Sequence, residues 1–126
     1  HTIDKNEELS TIQRKYFNKS VFKNQIVQHL GNAINIIPKL NFDFDLIFLD
    51  ADKENYIKYF DLVFPKLKSG GLLITDNVLW SGKVLKKDLD RETKIIKKYN
   101  SKLNKDKRIK NLLLPIRDGL TLSLKH

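Results

Sequence analysis

Two short stretches carry most of the residues in this chain that could do chemistry. The first, FDLIFLDADKENY (residues 44–56), runs apolar Leu46, Ile47, Phe48 and Leu49 straight into Asp50, Asp52 and Lys53. The second, LLITDNVLWSG (72–82), runs an apolar segment into Asp76 and Asn77 and continues to Trp80 and Ser81 in a glycine-containing loop. Asp50, Asp76 and Asn77 offer two carboxylates and an amide oxygen, with no histidine or cysteine nearby. Such a hard-oxygen set suits Mg2+ and suits zinc poorly. Like charges placed close together also repel, and a divalent cation is the natural compensation. Each residue taken singly has an ordinary structural explanation: Asp50 as a helix N-cap, Asp52 and Lys53 as an exposed helix start, TDNVLWSG as a turn. The candidate site rests on the coincidence of two apolar runs that both end in metal-compatible residues.

Positioning those residues requires strands, and the chain alternates short apolar runs with helical periodicity. HTID reads as a strand end, and NEELSTIQRKYF as a helix capped by Asn6 with Leu9, Ile12 and Tyr16 on one face. NQIVQHLG reads as a strand closed by Gly31, and AINIIPKL as a short helix. FDLIFLD is apolar on both faces, as a central parallel strand should be. KENYIKYFDLVFPKL reads as a helix up to Pro65, with SGG breaking the chain before the strand LLITD. KKDLDRETKIIKKYNSKLN places Leu89, Ile95, Ile96, Tyr99 and Leu103 on one stripe, and RIKNLLLPIRDGLTLSLKH reads as two strands around an RDG turn. This rhythm predicts an α/β fold with a mostly parallel sheet and a C-terminal antiparallel hairpin. In such sheets the functional crevice lies at the carboxyl ends of the strands. Asp50 and Asp76 end successive parallel strands there; if the strands are neighbours, the carboxylates start about 5 Å apart.

Composition bounds the rest. With 126 residues the chain is at most one domain, and a chain of this size buries roughly two thirds of its unfolded surface. The absence of cysteine excludes disulfides, thiolate zinc sites and a cysteine nucleophile, and fits a reducing cytosol. No apolar run approaches the roughly 20 residues of a membrane span, and HTIDKNEE has no signal-peptide core, so a soluble intracellular protein is expected. The net charge of +9 invites a nucleic-acid partner. Yet only Arg14, Arg91, Arg108 and Arg117 of the 24 basic residues are arginine, and the lysines are scattered, which reads as solvated surface. GKVLKK (82–87) is the densest cluster, and there are no repeats or linkers.

The segments FDLIFLDADKENYIKYF and GGLLITDNVLWSGKV resemble the cation-dependent, S-adenosylmethionine (SAM)-dependent O-methyltransferases of the catechol and caffeoyl-CoA type, including their small bacterial members. HTIDKNEEL, HLGNAINIIPKL and LLLPIRDGLTL sit in the family's order too, so the resemblance covers essentially the whole chain. It implies a Rossmann-like SAM methyltransferase sheet in which Asp50, Asp76 and Asn77 hold Mg2+, or Mn2+ or Ca2+, and Lys53 is the general base. It also implies that Asp4 binds the cofactor ribose, that Ala33 and Asp52 contact the cofactor, and that Trp80 and Ser81 border the substrate. Plant members have asparagine where Ser81 stands, which argues against acyl-CoA substrates. His1, His29 and His126 match no role.

The implied reaction transfers a methyl group to a hydroxyl of a catechol-like or phenolic small molecule. A phenol has a pKa near 10 and is a poor nucleophile at neutral pH until a cation and a base assist it. A cytoplasmic homodimer is implied for the full-length protein. Methylation of a tRNA hydroxyuridine and a non-catalytic fragment are the alternatives. One departure stands out: the family's glycine-rich SAM loop and N-terminal helices precede the first strand recognised here, so residues 1–126 are expected to be a single incomplete domain with its N-terminal part missing. In the family's sheet order another strand lies between those ending at Asp4 and Asp50, so HTID is not expected to pair directly with DLIFLD.

Overall fold

The computed structural model describes residues 1–126, which form two compact units, His1–Asn41 and Phe42–His126. In the first unit β1 (Thr2–Asp4) pairs in parallel with β2 (Gln28–Leu30), Asp4 opposite Leu30. Parallel strands need a crossover, and α1 (Glu7–Lys19) supplies it. Asn6 caps α1 as expected, its side chain accepting from the Glu8 N–H at 3.0 Å. The stripe of Leu9, Ile12 and Tyr16 is exposed, and α1 buries no residue. The strand expected from NQIVQHLG is shorter than its apolar pattern: Lys23–Gln25 forms a 3₁₀ turn and only Gln28–Leu30 pairs. After Gly31, Asn32 caps the short α2 (Ala33–Ile36), which tightens into a 3₁₀ turn at Ile37–Lys39 around Pro38. Ile37 and Leu40 are the buried apolar residues of this unit.

The second unit is a four-stranded sheet in the order β3-β4-β6-β5. β3 (Phe44–Leu49) and β4 (Leu67–Thr75) are parallel neighbours, while β6 (Leu120–Lys125) is antiparallel to both β4 and β5 (Ile109–Leu114). The crossover from β3 to β4 is a 3₁₀ turn (Lys53–Asn55), α3 (Tyr56–Val63) and a second 3₁₀ turn at Pro65. SGG does not break the chain ahead of β4. The glycines are absorbed into a register irregularity between Phe44 and Leu46, and the strand begins at Leu67. α4 (Arg91–Lys105) starts where Asp90 accepts from the Thr93 N–H at 2.7 Å, leaving Leu89 outside the helix. Its buried stripe is Ile96, Tyr99 and Leu103.

α3 and α4 close one face of this sheet. Tyr56 meets Tyr99 edge-on at 5.3 Å, Phe60 meets Tyr99 at 6.3 Å, and the Tyr99 hydroxyl pairs with Thr75 Oγ1 at 2.7 Å. The opposite face corrects one expectation. FDLIFLD was expected to be buried on both sides, but Leu46 and Phe48 are 54% and 57% exposed. The register aligns them with Leu72, Ile74, Leu122 and Leu124. Strand side chains alternate between faces, so these six form one apolar surface that the helices of the unit do not cover. β1 and β3 belong to different sheets, so HTID does not pair with DLIFLD.

Candidate active site

Topology delivers the second unit's acids to one edge. β3 and β4 are parallel with Leu49 opposite Thr75, and the Asp76 N–H donates to the Leu49 carbonyl at 3.0 Å. Asp50 and Asp76 therefore leave neighbouring strands at the same end. β5 also runs parallel to β4, through the antiparallel β6, so the turn after β5 returns to that same edge.

Lys53 draws the two strand ends together. Its Nζ donates to Asn77 Oδ1 at 2.7 Å, to Asp50 Oδ1 at 3.1 Å and to the Tyr56 hydroxyl. The same ammonium lies 4.6 Å from the Tyr56 ring centroid and 5.9 Å from that of Trp80. One carboxylate oxygen from the end of β3 and one amide oxygen from the end of β4 thus face a single positive charge. Asp76 lies beside them, its Oδ1 accepting from the Asn77 N–H at 2.6 Å. No group of three histidine, cysteine or acidic side chains forms a metal cage. Protein ligands for a cation here would be two carboxylates and an amide, a donor set that fits Mg2+ or Ca2+ and leaves positions for water and substrate. The sharing of a cationic partner by Asp50 and Asn77 supports that fit.

Tyr56, which periodicity reads only as core, also joins this cluster. Its hydroxyl accepts from Lys53 and donates to the Asp76 carbonyl at 3.1 Å. Burial first, and the charge of Asp50 next, push its pKa far up, so it stays a phenol and a donor. Asp52 does not join the cluster around Lys53. Its Oδ1 accepts from the Tyr59 hydroxyl at 2.6 Å and its other oxygen from the Asn55 amide, which ties the carboxylate down against α3. Burial and the bond to Asp52 raise the Tyr59 pKa in turn.

Asp4 and Ala33 lie in the first unit. Asp4 accepts from the Asn6 N–H at 2.9 Å and from the Gln13 amide at 2.8 Å, and these bonds hold its pKa below the usual carboxylate value. Gln13 is braced by Gln28 at 2.6 Å. Ala33 opens α2 two residues after Gly31, which stands at φ +137°.

The loop after β4 is held in an uncommon conformation. Asn77, Trp80 and Ser81 have φ of +58°, +50° and +52°, and Gly82 follows at +71°. For residues with a β-carbon this region costs roughly 1–2 kcal/mol each. The compensation comes from the β5–β6 turn. The Gly119 and Asp118 carbonyls accept from the Val78 and Leu79 N–H at 3.1 and 2.9 Å, and Asp118 Oδ1 accepts from the Ser81 N–H at 2.5 Å. Asn100 of α4 donates to the Val78 carbonyl at 2.8 Å. Trp80 is held with its indole Nε1 buried and unpaired. Beside this loop opens a cavity of about 600 Å³, with Asp76, Asn77 and Ser81 on one wall, Arg117 and Asp118 on the turn side, and Phe48 beneath. Arg117 and Asp118 were legible only as a turn. The strand directions that carry them here are the signal that would have found them.

Comparison with known proteins places this geometry. The family model described as O-methyltransferase matches residues 1–126. Caffeoyl-CoA O-methyltransferase 5 of Nicotiana tabacum is 33% identical over 133 residues, covering 95% of this chain and 55% of its own. A Staphylococcus aureus structure described as a candidate caffeoyl-CoA O-methyltransferase superposes with a TM-score of 0.89 at 33% identity, over 99% of this chain and 63% of that one. An SAH-bound methyltransferase from Podospora anserina superposes with a TM-score of 0.83 at 28% identity, over 99% of this chain and 59% of that one. The chain thus spans a little over half the length of the tobacco relative.

Proposed function

The chain belongs to the O-methyltransferase family, and on that premise we propose that it transfers the methyl group of S-adenosylmethionine to a hydroxyl of a catechol-like or phenolic small molecule with the help of a divalent cation. The observation that carries the cation-assisted chemistry is the convergence of Asp50 and Asn77 on one positive charge, with Asp76 beside them. The SAH bound to the Podospora relative supports the cofactor, and the tobacco relative's name supports a hydroxylated aromatic substrate.

In this reading Asp50, Asp76 and Asn77 hold the cation. A divalent ion held there would supply Lewis acidity that favours the ionised hydroxyl. SAM, when bound, would supply a sulfonium methyl to that oxygen, with sulfur keeping the electron pair of the carbon–sulfur bond that breaks. Lys53, at the same oxygens, is the base in this reading: as the neutral amine its Nζ takes the hydroxyl proton and becomes the ammonium. The Tyr56 hydroxyl, accepting from Lys53, orients its Nζ. Asp4, Ala33 and Asp52 contact the cofactor, and Trp80 and Ser81 border the substrate. Methyl transfer to tRNA has less support, because of the lysines in 82–87 only Lys83 lies over Trp80, at 6.0 Å, and it is ion-paired with Asp90 at 3.4 Å.

The test is methylation of catechol by the purified protein with SAM, with Mg2+ or with excess EDTA. Asp50→Ala and Asp76→Ala are expected to lower Mg2+-dependent turnover by about 10²-fold or more. Full turnover in EDTA overturns the cation's role, and no methylated product from any phenol or catechol overturns the reading as a whole.

A further inference from the structure

Arg117 stands where stability alone would place glycine. The turn Ile116–Gly119 is closed by the Gly119 N–H on the Ile116 carbonyl at 2.9 Å, and Arg117, its first central residue, has φ +55°. Asp118, the second, is not in the positive region. Turns with a positive φ at the first central residue favour glycine there, because a β-carbon meets the backbone.

The guanidinium is also left unpaired. Arg91 and Arg108 each sit against a carboxylate, Glu54 at 3.6 Å and Asp106 at 2.6 Å. Arg117 is exposed and makes no ion pair, although Asp118 is the next residue; one oxygen of that carboxylate accepts from the Ser81 N–H. What Arg117 does is line the cavity that opens on Asp76 and Asn77.

We propose that Arg117 determines specificity by binding a carboxylate on the substrate, so that the preferred acceptor is a hydroxylated aromatic acid rather than its neutral analogue. The proposal rests on the methyl-transfer reading for its reaction, while the anion site stands on the geometry of the cavity. The planar guanidinium fork matches a carboxylate bidentately. Phe48 and Leu120 give the cavity an apolar floor for a ring. Asp76 and Asp118 on its walls repel a simple anion, so the fitting ligand carries its charge at one end and its hydroxyls at the other.

The test compares 3,4-dihydroxybenzoate with catechol in the purified protein and in its Arg117→Gly and Arg117→Lys variants. The ratio of kcat/KM for the acid over that for catechol is expected to fall about tenfold or more in Arg117→Gly and to be partly kept in Arg117→Lys. The melting temperature of Arg117→Gly should equal or exceed that of the parent, which separates lost selectivity from lost folding. The same ratio in all three proteins overturns the proposal. If neither compound is methylated, the methyl-transfer reading fails on its own, and equilibrium titration reads the anion site. Tenfold tighter binding of the acid than of catechol, abolished in Arg117→Gly, upholds the proposal; equal binding of the two by the parent overturns it.

Discussion

Lys53 has three N–H donors and three oxygen partners, contributed by the end of β3, the start of α3 and the loop after β4. Its side chain is only 10% exposed while that of Asp50 is 47% exposed, so a substitution leaves Asp50 to water but takes a partner from the buried Tyr56. Lys53→Ala is expected to lower kcat by about 10²-fold with little change in SAM affinity, as suits a base and not a cofactor ligand. Lys53→Arg should not restore kcat, because a guanidinium stays protonated. Steady-state kinetics with a separate SAM titration reads both, and an arginine variant with near-normal kcat would leave Lys53 an electrostatic aid only. The clustering of Asp50, Asn77 and Lys53, with Asp76 beside them, was legible, because apolar runs that end abruptly in polar residues are costly unless the polar groups have partners or water to meet. The place of Tyr56 in that cluster was not legible. Its ring belongs to the core and only its hydroxyl reaches the cluster, which a hydrophobic pattern does not register.

Strands and turns set which of these residues can meet. The alternation of β3 and β4 with α3 was readable, and so was the C-terminal hairpin, since both depend on local periodicity and turn chemistry. The exposed face of β3 was not readable. Leu46 and Phe48 carry the apolar signature of a strand covered on both sides, and whether a cover is present is a tertiary fact. The contact between the β5–β6 turn and the loop after β4 was likewise invisible to local patterns, although it holds Trp80 and Ser81 in place. Gly119 is its closest point: a β-carbon there would sit 2.5 Å from Leu79 Cγ, on a backbone at φ +82°. Gly119→Ala is therefore expected to destabilise the protein by about 1–3 kcal/mol. It should also part the two loops and weaken substrate binding more than SAM binding. Denaturant unfolding with paired substrate and cofactor titrations reads both effects, and a variant of unchanged stability would show that the loops do not need their close approach.

Across the whole molecule the buried apolar residues are unevenly shared. His1–Asn41 contributes only Ile37 and Leu40, whereas Phe42–His126 holds every other buried apolar side chain, from Leu49 through Tyr56, Phe60, Leu73, Ile96 and Tyr99 to Ile109. Each fully buried side chain of this size contributes roughly 1.5–3 kcal/mol, so opening the second unit costs far more than opening the first. The positive charge is spread over lysines on both units, and no helix is long and apolar enough to cross a membrane, so neither charge nor a membrane span evens out the difference. In native-state hydrogen exchange the amides of β4 and β6 are expected to be the slowest, because β4 pairs on both sides and Leu73 and Thr75 are fully buried. Those of α1 and β1 should exchange orders of magnitude faster, since α1 buries nothing and β1 has β2 as its sole strand partner. Equal protection of residues 1–30 and residues 44–76 would mean that the exposed stripe of Leu9, Ile12 and Tyr16 is covered in solution, and that the first unit is held by more than its own small core.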